Sequence, residues 1–209
     1  MLSPSSHTTL REEPVLSLSR ILDRSWRLLE MGGQESGEPF HTPSFATMGA
    51  RGPRARTVAL LRVDRLKRSI QCYTDARSAK AREIRNALFV SWLFYDPGKR
   101  VQIRLEGPSI LHSDDLVATE AWATLPPANR RGYHGLAPGS RLKGPRSGLP
   151  EHMTQRFPSR LESEAGRLSF AVLSCEITEM EWLDLNWEGH RRARFLWTNE
   201  ALEAEWLSS

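Results

Sequence analysis

Little in this chain speaks for staples, membrane spans or metal. Its 209 residues include two cysteines, Cys72 and Cys175, far apart and in strand-like runs. A disulfide scaffold and a cysteine zinc cage are therefore excluded, and buried free thiols in a reducing compartment are expected. No apolar run approaches the ~20 residues needed to span a bilayer. The opening MLSPSSHTTLREEP lacks the basic-then-apolar pattern of a secretory signal, so a soluble, cytoplasmic protein with no membrane partner is expected. The histidines (His7, His41, His112, His134, His152, His190) show no metal-ligand spacing, and no metal is expected. The chain also has no GxGxxG, GxxxxGK[ST], HExxH, GxSxG or CxxC. Paired acids at Asp114-Asp115 and Glu162/Glu164 are accounted for by helix caps and solvated faces. The net charge is only +4, too small by itself to indicate nucleic acid. Between Arg51 and Arg68, however, seven cations stand against Asp64 alone, so an anionic ligand deserves a search.

What is present suffices for a sizeable core: 39% hydrophobic residues and seven tryptophans, enough for one domain with decorations. Residues 1–13 are polar and read as a disordered tail. Leu18, Ile21, Leu22, Trp26 and Leu29 recur at helical spacing, so Pro14–Met31 is a helix with one apolar face, stopped by Gly32-Gly33. Phe45–Met48 is a strand and Gly52-Pro53 a turn. Arg56–Val63 is β-rich and continuously apolar in part, as in a central strand, and Ser69–Thr74 pairs with it across Asp64–Arg68. Leu88–Tyr95 is a buried strand closed by Asp96-Pro97-Gly98. Arg100–Leu111 alternates and returns antiparallel. Ser113 or Asp114 caps a helix to Leu125, residues 132–150 form a long loop, and Leu149–Phe157 is a short helix. Strands follow at Leu168–Cys175, Thr178–Leu185 and Arg191–Thr198, then a short helix or strand at Glu200–Trp206. Closely spaced antiparallel strands, without regular helical crossovers, predict a small β-barrel or bent sheet with peripheral helices.

The stretch Tyr73-Thr74-Asp75-Ala76-Arg77-Ser78-Ala79-Lys80 joins a strand to a helix. Ser78 is placed to cap that helix. The free N–H groups after it, with Arg77 and Lys80 beside them, suit a phosphate. The bland alternative is a capped surface helix with basic residues.

Beyond this turn, an ordered set stands out: R-T-V at 56–58, Y-T-D-x-R-S-x-K at 73–80, Gln102 in an alternating strand, and Trp182 followed ten residues later by Arg192. Together these resemble the pyridoxamine 5'-phosphate oxidase-like family of FMN-binding split β-barrels, from about residue 15 to the C-terminus. The resemblance implies a mainly β (α+β) fold, a six-stranded antiparallel split β-barrel with peripheral helices, and one FMN-binding domain over 14–209. It implies that Arg56 and Lys80 pair with the FMN phosphate beside Thr74 and Ser78. Thr57, Val58 and the backbone around Tyr73 would line the ribityl chain and isoalloxazine, Gln102 would bond the ring, and Trp182 and Arg192 would reach the same flavin. It further implies a homodimer with the flavin at the subunit interface and a small-molecule substrate.

The chain departs from the true oxidases at several positions. Ala79 stands where they carry a phosphate-binding arginine, and Arg77 is the nearby substitute. Glu188 replaces the arginine of their C-terminal Arg-x-His pair, although His190 falls on the histidine position; a carboxylate there repels a phosphate. Leu61 takes the place of the basic residue closing the R-T-V strand, with Arg62 next to it. Arg130, Arg131 and Ser140 lie in the region of their Tyr/Arg/Ser substrate cluster. No side-chain acid or base is evident beyond His190 as a candidate. The expectation is an FMN-dependent oxidoreductase of unidentified substrate, not an oxidase of pyridoxamine 5'-phosphate itself. The alternatives are a non-catalytic flavin-binding or storage protein and, from a different class, a basic nucleic-acid module. Scarce aromatics in the basic stretches disfavour the last.

Overall fold

The computed structural model describes residues 16–199 and 201–208, so the tail expected over 1–13 lies outside the described residues. The first helix, α1 (Leu18–Gln34), is capped by Ser17, whose hydroxyl accepts from the Arg20 amide at 3.4 Å. It buries Ile21, Trp26, Leu28 and Leu29, the face its periodicity predicts. It does not stop at Gly32-Gly33. The helix runs through both because Gly32 is needed for a close approach: a Cβ there would lie 2.7 Å from the Phe40 backbone.

Strands β1 (Ser44–Gly49) and β2 (Gly52–Thr57) form a tight hairpin, with Gly52 at φ +116° on its far side. The central strand expected over 56–63 is absent. The chain leaves β2, which lies at one end of the strand order, and crosses to β3 (Arg62–Asp64). The crossing is held by amide bonds from Val58 to Pro43 (3.1 Å), Leu60 to His41 (2.8 Å) and Leu61 to Gln71 (3.0 Å). Its apolar character reflects burial of Val58 and Leu60 in that crossing, not two covered sheet faces.

There follow β4 (Ser69–Asp75), α2 (Ala79–Asn86), β5 (Phe89–Asp96) and β6 (Val101–His112). Helix α3 (Leu116–Thr124) is capped by Asp115, which accepts from the Ala118 amide at 3.0 Å, one residue later than expected. Short helices α4 (Pro127–Arg130) and α5 (Arg160–Ser163) flank the long loop. The helix expected over 149–157 is a single 3-10 turn at Glu151–Met153. The chain ends in β7 (Phe170–Glu176), β8 (Glu179–Asp184), β9 (Arg191–Trp197) and β10 (Leu202–Leu207).

The class is as expected, mostly antiparallel β with peripheral helices, but among the described residues the strands number ten rather than six. Their order is β10-β9-β8-β6-β5-β1-β2, while β7 joins β6 to β4 and β4 joins β3. The long β6 serves both parts. Its residues 101–106 lie between β5 and β8, and Ser109–His112 pair with β7. Gly107 sits at the change of partner, where a Cβ would meet the Glu176 carbonyl oxygen at 1.8 Å. The main core packs Trp26, Leu29, Phe45, Trp92, Phe94, Ile103, Met180 and Phe195. A second cluster of Trp122, Leu125, Phe170 and Val172 carries Tyr73 and Tyr133 beneath α3. Among the described residues no helix is long and apolar enough to cross a membrane.

Gly107→Ala is expected to destabilise the protein by at least about 2–3 kcal/mol, since backbone rather than a flexible side chain must give way. Gly37→Ala, where nothing lies within 4 Å of the new methyl, is expected to stay within about 0.5 kcal/mol. Urea unfolding midpoints of the two variants compare them directly.

Candidate functional site

The Tyr73–Lys80 turn is built as its residues suggest. The Ser78 hydroxyl accepts from the Ala81 amide at 3.3 Å, which starts α2, and lies 3.4 Å from the buried Thr74 hydroxyl. Alternation along β4 puts Cys72 and Thr74 inward and Tyr73 outward, edge-on to Phe170 at 5.0 Å. The Tyr73 side chain thus faces away from the hydroxyl pair, leaving its backbone to the turn.

Arg56 on β2 is opposite Phe45 on β1 and points to the same side, toward α2. Its guanidinium donates to Thr47 Oγ1 at 2.5 Å and to Glu83 Oε2 at 2.9 Å, and Thr47 in turn donates to Glu83 at 2.6 Å. Arg54 reaches the other Glu83 oxygen at 3.3 Å. Burial opposes the charge on Glu83, but the Thr47 and Arg56 hydrogen bonds and the two guanidinium charges outweigh it and hold the carboxyl below its ordinary range. Lys80, one turn earlier on α2, is half-buried and forms no ion pair or side-chain hydrogen bond among the described residues. Burial lowers its pKa, and the like charge of Arg56 adds to that, against opposing pulls from Cys72, Asp75 and Glu83. The fold therefore brings Arg56, Lys80, Thr74 and Ser78 to one place from three elements.

Arg77 does not stand as a second loose cation. Its fork closes on Asp75, Nε to Oδ1 at 3.0 Å and Nη2 to Oδ2 at 2.7 Å, and Nη2 also donates to the Gly135 carbonyl of the long loop at 3.1 Å. Thr57 is exposed at the end of β2, and Val58 is buried at the start of the crossing.

Gln102 and Arg192 share the outer face of the sheet, both opposite Leu183. Glu181, almost fully buried, accepts from Arg192 at 2.6 Å and Arg104 at 2.9 Å. Trp182 points the other way, into the core beneath Ile21 of α1. The structure thus brings Gln102 and Arg192 together but not Trp182 with them. Those two also stand apart from the Lys80 cluster within one copy of the chain, since Arg56 and Thr47 lie on the inner face. His190 is exposed in the β8–β9 turn beside Glu188 and Gly189. Arg130 is wholly buried. It donates to the carbonyls of Leu125 (2.8 Å) and Trp122 (2.5 Å) and to Glu164 (2.5 Å), and it lies over the Trp122 ring at 4.5 Å. It is a tie between α3, α4 and α5, not a substrate ligand. Arg131 rests against Phe157. Both cysteines are free and buried, their thiols pushed up to about 12 by burial. No cluster of His, Cys, Asp and Glu among the described residues could hold a metal. Glu83 and Glu181, which orient the arginines, were not singled out in the sequence. Only their placement three residues after Lys80 and next to Trp182 could have drawn attention to them.

A cationic, hydroxyl-lined turn thus stands at a helix start against a bent antiparallel sheet with peripheral helices. Residues 23–113 match the family model described as pyridoxamine 5'-phosphate oxidase, FMN-binding domain. A pyridoxamine 5'-phosphate oxidase-related, FMN-binding protein from Nostoc punctiforme superposes with a TM-score of 0.69 at 20% identity, covering 94% of this chain and 100% of that one. PhzG from Burkholderia lata, solved with tetrahydrophenazine-1-carboxylic acid, superposes with a TM-score of 0.61 at 17% identity, covering 95% of each. No curated protein matches the chain. The two structures establish the fold. Over residues 23–113 the chain matches the FMN-binding domain of the pyridoxamine 5'-phosphate oxidase family model.

Glu83→Gln is expected to cost roughly 1–3 kcal/mol by leaving Arg54 and Arg56 without their carboxylate. Because the folded pKa of Glu83 lies below its ordinary 4.5, this contribution is complete above that pH and is lost as pH falls through the folded value. The deficit of the variant relative to the parent, followed by denaturant unfolding, is therefore expected to shrink in acid.

Proposed function

We propose that this chain is an FMN-dependent oxidoreductase acting on a small molecule as a homodimer, with 14–209 working as one FMN-binding domain. The observation that carries the reading is Lys80, a half-buried ammonium with no carboxylate in contact among the described residues, beside the Arg56 guanidinium and two hydroxyls. A half-buried cation ordinarily acquires an anionic partner. The chemistry of this donor set fits the phosphate of FMN.

In this reading Lys80 and Arg56 hold the phosphate, and Thr74 and Ser78 donate to its oxygens. Glu83 and Thr47 fix the Arg56 fork in advance, so less side-chain freedom is lost on binding. Thr57, Val58 and the Tyr73 backbone border the ribityl chain and ring. FMN, when bound, supplies the hydride or electron chemistry. Arg77 anchors the long loop to the cofactor turn and so shields the site from water. Gln102 and Arg192 lie on a face that also exposes Met48, Phe89, Leu93 and Tyr95. A second copy of the chain covering this face buries those side chains and delivers Gln102 and Arg192 to its partner's flavin. Trp182 supports that face from beneath, and His190 is the candidate acid or base at its rim.

The purified protein is expected to be yellow and to release FMN on denaturation. Reduction of the bound flavin by NADH or NADPH and reoxidation by oxygen or a quinone distinguishes an enzyme from a flavin store. Lys80→Ala is expected to weaken FMN binding roughly 10–100-fold, about 1.4–2.8 kcal/mol, read by quenching of flavin fluorescence. Unchanged affinity removes Lys80 from the phosphate site. Phe89→Asp combined with Leu93→Asp is expected to give a monomer by light scattering, with loss of FMN; a flavin-loaded dimer would refute the shared face.

A further inference from the structure

All of the protein's excess positive charge lies in one stretch. Residues 130–164 hold seven of the 29 Lys and Arg and three of the 25 Asp and Glu, and the remaining 22 cations and 22 acids cancel. The structure ties up part of this excess and leaves the rest together. Arg130 and Arg156 are in ion pairs with Glu164 and Glu162, and Arg131 rests on Phe157. Arg141, Lys143 and Arg146 are exposed and form no ion pair or side-chain hydrogen bond among the described residues. They stand in a loop that holds no acid between Leu136 and Gly148.

That loop is fixed at its neck. The Leu136 amide donates to the Gly148 carbonyl at 3.0 Å, and Arg77 donates to the preceding Gly135 carbonyl at 3.1 Å. Gly139 and Gly148, at φ +89° and +75°, turn the chain within it and at its end. The loop also leaves apolar surface in solvent: Leu136 is 58% and Leu142 42% exposed. With Leu149 and Arg146 these two border a cavity of about 690 Å3, whose other side is Glu151 and Thr154. Leu142 is flanked in the chain by Arg141 and Lys143.

Exposed leucines among unpaired cations suit a partner that is negative at its surface and apolar beneath. An anionic bilayer has that layering. A nucleic-acid strand calls for aromatic rings to stack on, and there is no Phe, Tyr or Trp between Tyr133 and Phe157. Nucleic acid also leaves Leu136 and Leu142 without a role. The expectation of no membrane partner rested on a missing span and leader, and a peripheral contact needs neither.

We propose that the 136–148 loop docks the protein on an anionic lipid surface. Arg141, Lys143 and Arg146 lie against the headgroups, and Leu136 and Leu142 enter the boundary with the acyl chains. This docking is independent of FMN binding.

Flotation of the full chain with phosphatidylcholine vesicles, with and without phosphatidylserine, tests it. Binding is expected to be roughly tenfold or more tighter with phosphatidylserine present, and to weaken as salt rises. Arg141→Gln, Lys143→Gln and Arg146→Gln together are expected to weaken it on the order of 100-fold. Leu142→Ser is expected to weaken vesicle binding roughly tenfold while leaving retention on heparin, a soluble polyanion, unchanged. Equal binding to both kinds of vesicle, or an unaffected triple variant, overturns the assignment. So does a DNA duplex held more tightly than the vesicles with Leu142→Ser without effect on either, which makes the loop a nucleic-acid surface.

Discussion

The passage of β6 past β7 at Gly107 constrains much else in this fold. The strand comes so close to the Glu176 carbonyl that no Cβ fits between them. On either side of that point the ladder is tied down, Thr178 amide to Glu106 carbonyl at 2.9 Å and Ser109 amide to Leu88 carbonyl at 2.8 Å. Beyond it, β6 hands its pairing to β7, and β7 carries β4. The Tyr73–Lys80 turn hangs from the end of β4, whereas Arg56 stands on β2 at the far end of the strand order. The two meet because the sheet bends between them. Helix α2 then closes the gap, with Glu83 gripping Arg54 and Arg56 from its own side.

Electrostatics divides the arginines and lysines between structural and available ones. Of the seven cations between Arg51 and Arg68, five are in ion pairs: Arg54 and Arg56 with Glu83, Arg65 with Asp23, Lys67 with Asp64, and Arg68 with Glu176. The apparent basic patch is thus mostly neutralised where it stands, which suits a small anionic ligand better than a polyanion that needs a continuous track of free charge. Arg77 and Arg130 are likewise committed, one to Asp75 and the long loop, the other to carbonyls and Glu164. Against that background Lys80 is conspicuous: half-buried, it has no carboxylate in contact among the described residues.

Much was legible along the chain because it depends on neighbours in sequence. The amphipathic face of α1, the Ser78 cap, the Asp96 turn and the alternation of Val101, Ile103 and Leu105 follow from local spacing and side-chain chemistry. Errors arose where distant contacts outvoted local signals. Gly32-Gly33 looked like a stop and is a contact point for Phe40. Val58–Leu61 looked like strand and is a crossing, because its amides bond to His41, Pro43 and Gln71 instead of a single neighbouring strand.

By itself, then, the sequence determined the β-rich class and the helix start at Ser78, since each rests on residues a few positions apart. Tertiary structure alone decided which cations remain available. Whether Arg56, Arg130 or Lys80 keeps a free charge depends on Glu83, Glu164 or, among the described residues, the absence of any such partner, and those carboxylates come from other elements. It also decided that Gln102 and Arg192 face outward while Trp182 faces the core, because a strand's two faces acquire their meaning only when the sheet bends around one of them.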